Sequence, residues 1–176
     1  MVNHMNKLEL FHKAVDHLNT QASDICPPDR KIIGYLCSYA PEELIYAAGF
    51  HPLRLFSSNS AISQADNHMQ SYCCSLIRGI LEDSLSGKLD FLHGMVFPHT
   101  CDSMQRLSDM IRMSGRYKFF ADVVLPVKLN TATAQNYMID ILKQFKSRLE
   151  EASGHTITDD DLRSSIRLFN RIRKSL

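Results

Sequence analysis

Cysteines at positions 26, 37, 73, 74 and 101 are the residues of this 176-residue chain best suited to chemistry. Five is an odd number and no CxxC pair occurs, so neither a disulfide framework nor a zinc ribbon is indicated. Reduced thiols, metal ligation or redox chemistry remain. Cys101 lies in Pro98-His99-Thr100-Cys101-Asp102-Ser103, which reads as a strand-to-helix junction. A thiol at a helix N-terminus meets free backbone N–H groups and the positive end of the dipole. These favour a thiolate, and would equally favour an anionic iron–sulfur cluster. The competing reading is a small residue packed at a corner. Cys73 and Cys74 are adjacent, so at about 100° per residue they face apart on a helix. Cys73 falls inside an apolar stripe and reads as core, whereas Cys74 falls at its edge and is the better ligand. Cys37 closes a strand beside Ser38 and Tyr39, as a third ligand, a cleft thiol or filler. Cys26, before Pro27-Pro28, reads as an incidental loop thiol. A direct Cys73–Cys74 redox couple would require a strained bond and a distorted helix.

Other site chemistries are missing. No GxGxxG or phosphate loop is present, since Gly87-Lys88 lacks the earlier glycine, and there is no HExxH or GxSxG. Eight histidines are scattered without a metal-binding pairing; His93 and His99 flank a strand and could reach a cleft. Arg163, Arg167, Arg171 and Lys174 form a basic stripe that reads as a solvated helix face, not a nucleic-acid site.

The elements that must position these residues follow from periodicity. Leu8, Phe11, Ala14, Val15 and Leu18 predict an opening helix. Lys31 to Cys37, Leu53 to Phe56, Asp90 to Pro98 and Phe119 to Val127 predict four strands. Between them, helices are expected after Pro41, along Met69, Tyr72, Cys73, Leu76, Ile77 and Ile80, and from Thr100 or Asp102 toward Arg112. Ala134 to Phe145 traces a helical face stopped near Gly154, and Thr158 with Asp161 caps a last helix over Asp159 to Lys174. Strands alternating with helices predict an α/β fold: a three-layer domain with a mostly parallel, Rossmann- or flavodoxin-like sheet. Ligands on such sheets bind at the carboxyl ends of strands, where Cys37 and Cys101 fall. The expected organisation is an α/β lobe over 1–130 and a helical extension over 131–176.

Composition sets the outer limits. Apolar residues make up 44% and charged residues 22% of the chain, which excludes disorder, and seven Gly with six Pro exclude collagen-like classes. Twenty basic against nineteen acidic residues leave a net charge of +1, no footprint for nucleic acid or anionic lipid. No run reaches the roughly 20 apolar residues of a membrane span. The first ten residues lack the apolar stretch of a secretion signal, so a cytoplasmic, soluble protein is expected.

Three blocks carry a resemblance. Gly34-Tyr35-Leu36-Cys37-Ser38-Tyr39-Ala40-Pro41-Glu42-Glu43-Leu44-Ile45, Gln70-Ser71-Tyr72-Cys73-Cys74-Ser75, and Asp90 through Leu107 with its Pro98-His99-Thr100-Cys101-Asp102 core resemble, in order and spacing, the 2-hydroxyacyl-CoA dehydratase and benzoyl-CoA reductase family. The blocks cover about Lys31 to Arg112. The resemblance implies flavodoxin-like lobes with a [4Fe–4S] cluster between them, a second homologous subunit, and an ATP-dependent iron–sulfur activator that delivers one electron. It implies an acyl-CoA substrate that undergoes radical dehydration or aromatic ring reduction. By the same resemblance Cys74 and Cys101 are metal ligands and Cys37 is a third candidate. Ser38 and Glu42, with Tyr39, are the candidate catalytic, cleft-lining residues. Family subunits continue into a second lobe with a further cluster cysteine, and no cysteine follows Cys101 here. The expectation is therefore the N-terminal lobe of such an enzyme subunit, with an incomplete cluster ligand set. The alternative is a truncated, non-catalytic paralogue that stabilises a partner.

Overall fold

The computed structural model describes residues 29–58 and 61–175; the expected opening helix and Cys26 lie outside them. Strand β1, Ile32–Tyr35, buries its first three residues, as a parallel strand covered on both faces must. It is followed by helix α1 (Glu42–Ala47), strand β2 (His51–Arg54), a 3₁₀ turn (Ala65–Asn67), helix α2 (Ser75–Leu85), strand β3 (Gly94–Pro98), helix α3 (Asp102–Ser114), strand β4 (Phe119–Val123), helix α4 (Ala132–Ser153) and helix α5 (Asp159–Ser175). The four strands form one all-parallel sheet in the order β2-β1-β3-β4.

Two apolar layers cover it. Met95 and Phe97 of β3 pack with Ile77 and Ile80 of α2 and Met104 and Leu107 of α3. Val96, pointing the other way, joins Ile33, Ile45 of α1, Val123 of β4, and Phe145 and Leu149 of α4. This strand alternation gives the expected three-layer α/β architecture. The β3–β4 pair is packed so closely that a Cβ on Gly94 would lie 2.5 Å from both Cβ and the carbonyl oxygen of Phe119. Glycine is required there for space.

Several boundaries differ from the sequence expectation. His51 and Pro52 lie inside β2, not in a turn before it. The missing Pro52 N–H is tolerated because β2 is an edge strand. Gly94 opens β3, since Asp90 N to Gly87 O and Leu92 N to Leu89 O make turns of the preceding segment. β4 ends at Val123, short of Val127. The helix expected across Met69 to Ile80 begins only at Ser75: Cys73 N donates to Gln70 O in a turn, and Cys74 is extended (φ −62°, ψ 151°). Buried Glu82 of α2 organises the chain before that turn, accepting the Ser63 and Ala65 N–H groups at 3.0 and 2.9 Å.

Helix ends at the carboxyl half follow local chemistry. Thr131 Oγ1 caps α4 by accepting from Ala134 N at 3.1 Å, and Gly154 ends it in the left-handed region. Thr158 and Asp161 form the reciprocal cap of α5, with Thr158 N donating to Asp161 and Asp161 N donating to Thr158 Oγ1. Helix α5 lies on α1: Ser165 Oγ donates to the Glu43 carbonyl at 2.8 Å, and Phe169 meets Tyr46 edge-on at 5.8 Å.

Candidate thiol site at the sheet switch point

Strand order reverses between β1 and β3, because the chain moves from β1 outward to β2 and then back across to β3 and β4. The loops after these two strands diverge and leave the crevice where doubly wound folds bind ligands. Cys37 follows β1 and Cys101 follows β3. Cys74 stands at the start of α2, the helix that follows β2 and the 3₁₀ turn.

Each thiol is presented differently. Cys37 has φ 55° and Tyr39 φ 70°, two non-glycine residues in the left-handed region. Each such residue stores about 1–3 kcal/mol and persists only where its surroundings over-determine it. Here the two ends of the loop are joined: Tyr35 Oη, on the last residue of β1, donates to Glu42 Oε2, on the first residue of α1, at 2.5 Å. Burial, then the acceptor Glu42, push the Tyr35 phenol well above its ordinary value, so it stays a donor. Cys74 and Cys101 instead occupy the N-cap positions of α2 and α3, and neither helix has a side-chain cap. The first backbone N–H groups of both helices therefore open toward the thiol-bearing ends. Cys74 and Cys101 are exposed, Cys37 is half-buried, and Cys73 is buried core as expected. The N-cap, not the edge of a helical stripe, is what turns Cys74 outward.

The Cys37 pKa is raised by burial first, then by the charges of Cys101 and Cys74, against smaller opposing effects of Arg54 and a hydrogen bond from Thr100. Among the described residues, no group of three or more His, Cys, Asp or Glu side chains is gathered tightly enough for a single metal ion. A polynuclear cluster, in which each iron takes one thiolate, spaces its ligands more widely than a single ion does. The residues present fit that group in chemical type, as a partial ligand set.

Of the other expected residues, Ser38 and Tyr39 are exposed in the same loop as Cys37. Glu42 has two partners: besides Tyr35 it accepts from the exposed Arg173 of α5 at 2.5 Å. Sequence reading missed Thr100 and Arg54 as neighbours of Cys37. It also missed the clamp behind Cys101. There Asp122 of β4 accepts from His99 Nε2 at 2.8 Å, Ser108 Oγ at 2.5 Å and Arg112 at 2.7 Å, tying the β3–α3 turn to its own helix. The signal was present: Asp122 is a lone acid in the otherwise apolar Phe119-Phe120-Ala121-Asp122-Val123. Beside the β1–α1 loop an apolar recess of about 510 Å³ is lined by Tyr39, Ala40, Leu125, Val127, Leu129 and Met138.

Fold and site together define a doubly wound α/β lobe that gathers cysteines, without a phosphate loop, at its switch point. The chain belongs to the family of 2-hydroxyglutaryl-CoA dehydratase, D-component, whose model matches residues 37–176. It is 34% identical over 172 residues to a benzoyl-CoA reductase subunit of Thauera aromatica, covering 96% of this chain and 44% of that protein. It is 30% identical over 145 residues to the (R)-phenyllactyl-CoA dehydratase beta subunit of Clostridium sporogenes, covering 82% and 39%. It is 29% identical over 168 residues to the (R)-2-hydroxyglutaryl-CoA dehydratase beta subunit of Acidaminococcus fermentans, covering 94% and 44%. The chain thus spans less than half the length of these relatives. No described helix is long and apolar enough to cross a membrane.

Proposed function

We propose that this chain is the cysteine-bearing lobe of a radical acyl-CoA dehydratase or benzoyl-CoA reductase subunit, and that Cys74, Cys101 and Cys37 hold a [4Fe–4S] cluster. The observation that carries this reading is that Cys37 and Cys101 follow the two strands flanking the switch point while Cys74 stands at the start of α2, with the charges of Cys101 and Cys74 both acting on Cys37. A bound cluster supplies single electrons, and an iron without a fourth protein ligand supplies a Lewis-acidic position for a substrate oxygen. The protein's part is to present the thiols and direct helix N–H groups at the negative charge. Exposed Ser38 offers a hydroxyl beside Cys37 to a substrate oxygen, and Glu42 buttresses the loop from behind. Relatives named as subunits support a homologous partner subunit for this chain. An ATP-hydrolysing activator and an acyl-CoA thioester complete the reading, and reduced thiols suit a cytoplasmic setting.

Iron and acid-labile sulfide are the test, measured on protein purified without oxygen after co-expression with the neighbouring genes. Near-stoichiometric iron and sulfide in the wild type, lost in both Cys74→Ala and Cys101→Ala, is the expected result. A folded wild-type protein without iron would sink this reading and support the partner-stabilising module instead.

A further inference from the structure

The β1–α1 loop, with two non-glycine residues at positive φ, depends on how its ends are held. The Tyr35–Glu42 hydrogen bond joins those ends, and one guanidinium nitrogen of Arg173 reaches Glu42 Oε1 and Glu43 Oε1, each at 2.5 Å. Arg173 lies near the end of α5, 131 residues from Glu42. The helix does not need this contact in order to dock, because Ser165 bonds the Glu43 carbonyl and Phe169 packs on Tyr46. With one carboxylate oxygen on Arg173, Glu42 keeps the other aimed at Tyr35.

We propose that Arg173 is a positioning residue for Cys37: through Glu42 and Tyr35 it holds the β1–α1 loop in the conformation that keeps the Cys37 thiol half-buried at the end of β1. This makes the last helix part of the site. The purpose of the positioning rests on the cluster reading; the positioning itself does not. The ordinary alternative is an exposed ion pair that only staples α5 to α1.

Thiol alkylation separates the two. Reduced, iron-free full-length chain is treated with iodoacetamide, and rates at Cys37, Cys74 and Cys101 are resolved by peptide mass spectrometry. Arg173→Gln, Glu42→Gln and Tyr35→Phe are each expected to speed alkylation of half-buried Cys37 by about fivefold or more, since a loosened loop exposes its thiol. Cys74 and Cys101 should stay within about twofold. Arg173→Lys should restore most of the slow rate. Ser165→Ala, which weakens the α5–α1 contact but keeps Arg173, should leave Cys37 unchanged. An unchanged Cys37 rate in Arg173→Gln, or an equal acceleration by Ser165→Ala, would overturn the proposal. Because this readout needs no iron, a positive result alongside iron-free wild-type protein would retain the positioning role while rejecting the cluster.

Discussion

At the residue scale, Cys74 and Cys101 give up something by standing where they do. An N-cap position is the natural place for Ser, Thr, Asp or Asn, and neither α2 nor α3 has a capping hydrogen bond. Cys101→Ser should therefore stabilise the iron-free protein, by about 0.5–1 kcal/mol in denaturant unfolding, because the hydroxyl can accept from the first turn of α3. A neutral or destabilising outcome would show that the thiol already serves α3 in some other way. The cysteines themselves were legible in the sequence, as was the core burial of Cys73; Cys74 was expected at the edge of a helical stripe and is instead exposed at the N-cap of α2. What could not be read was the neighbourhood: Thr100 on Cys37, Asp122 behind His99, Arg173 on Glu42. These contacts cross between elements far apart in the chain, and no periodicity encodes them.

At the element scale, the strands and helices were legible wherever they depend on apolar repeats and caps. The α5 cap at Thr158 and Asp161 and the stop at Gly154 lie where the sequence placed them. The missed boundaries have mostly local causes: backbone turns at Gln70–Cys73 and over Gly87–Leu92 claim residues that the pattern assigned to a helix and a strand, and the edge position of β2 admits Pro52. Tertiary contacts add what no pattern shows: Glu82 gathers the N–H groups of Ser63 and Ala65 in the polar stretch ahead of Cys74. Those hydrogen bonds, that from Ala65 foremost, hold the Glu82 carboxyl below its ordinary value. Its stabilisation is thus fully present above the ordinary glutamate pKa of about 4.3 and is lost as pH falls through the lowered value. In melting curves across pH, Glu82→Gln should be less stable than wild type at neutral pH, and the gap should close below about pH 4. A gap independent of pH would mean that the carboxylate charge contributes nothing.

At the scale of the whole molecule, a β2-β1-β3-β4 parallel sheet explains why residues from three separate sequence blocks belong together. The reversal of strand order puts the β1–α1 loop of one block and the β3–α3 turn of another on either side of the switch point, and the third block lies in the segment leading into α2. The lobe supplies at most three thiols to it from the described residues, in a chain that spans 44% of its benzoyl-CoA reductase relative. Whether those thiols hold a four-iron cluster, as proposed, is decided by the state of the iron. Mössbauer spectroscopy of ⁵⁷Fe-enriched protein, purified without oxygen with its co-expressed neighbours, tests it most directly. Expected are the quadrupole doublets of a [4Fe–4S] cluster in wild type and their loss in Cys101→Ser. Only mononuclear iron, or a cluster signal that survives Cys101→Ser unchanged, would contradict it.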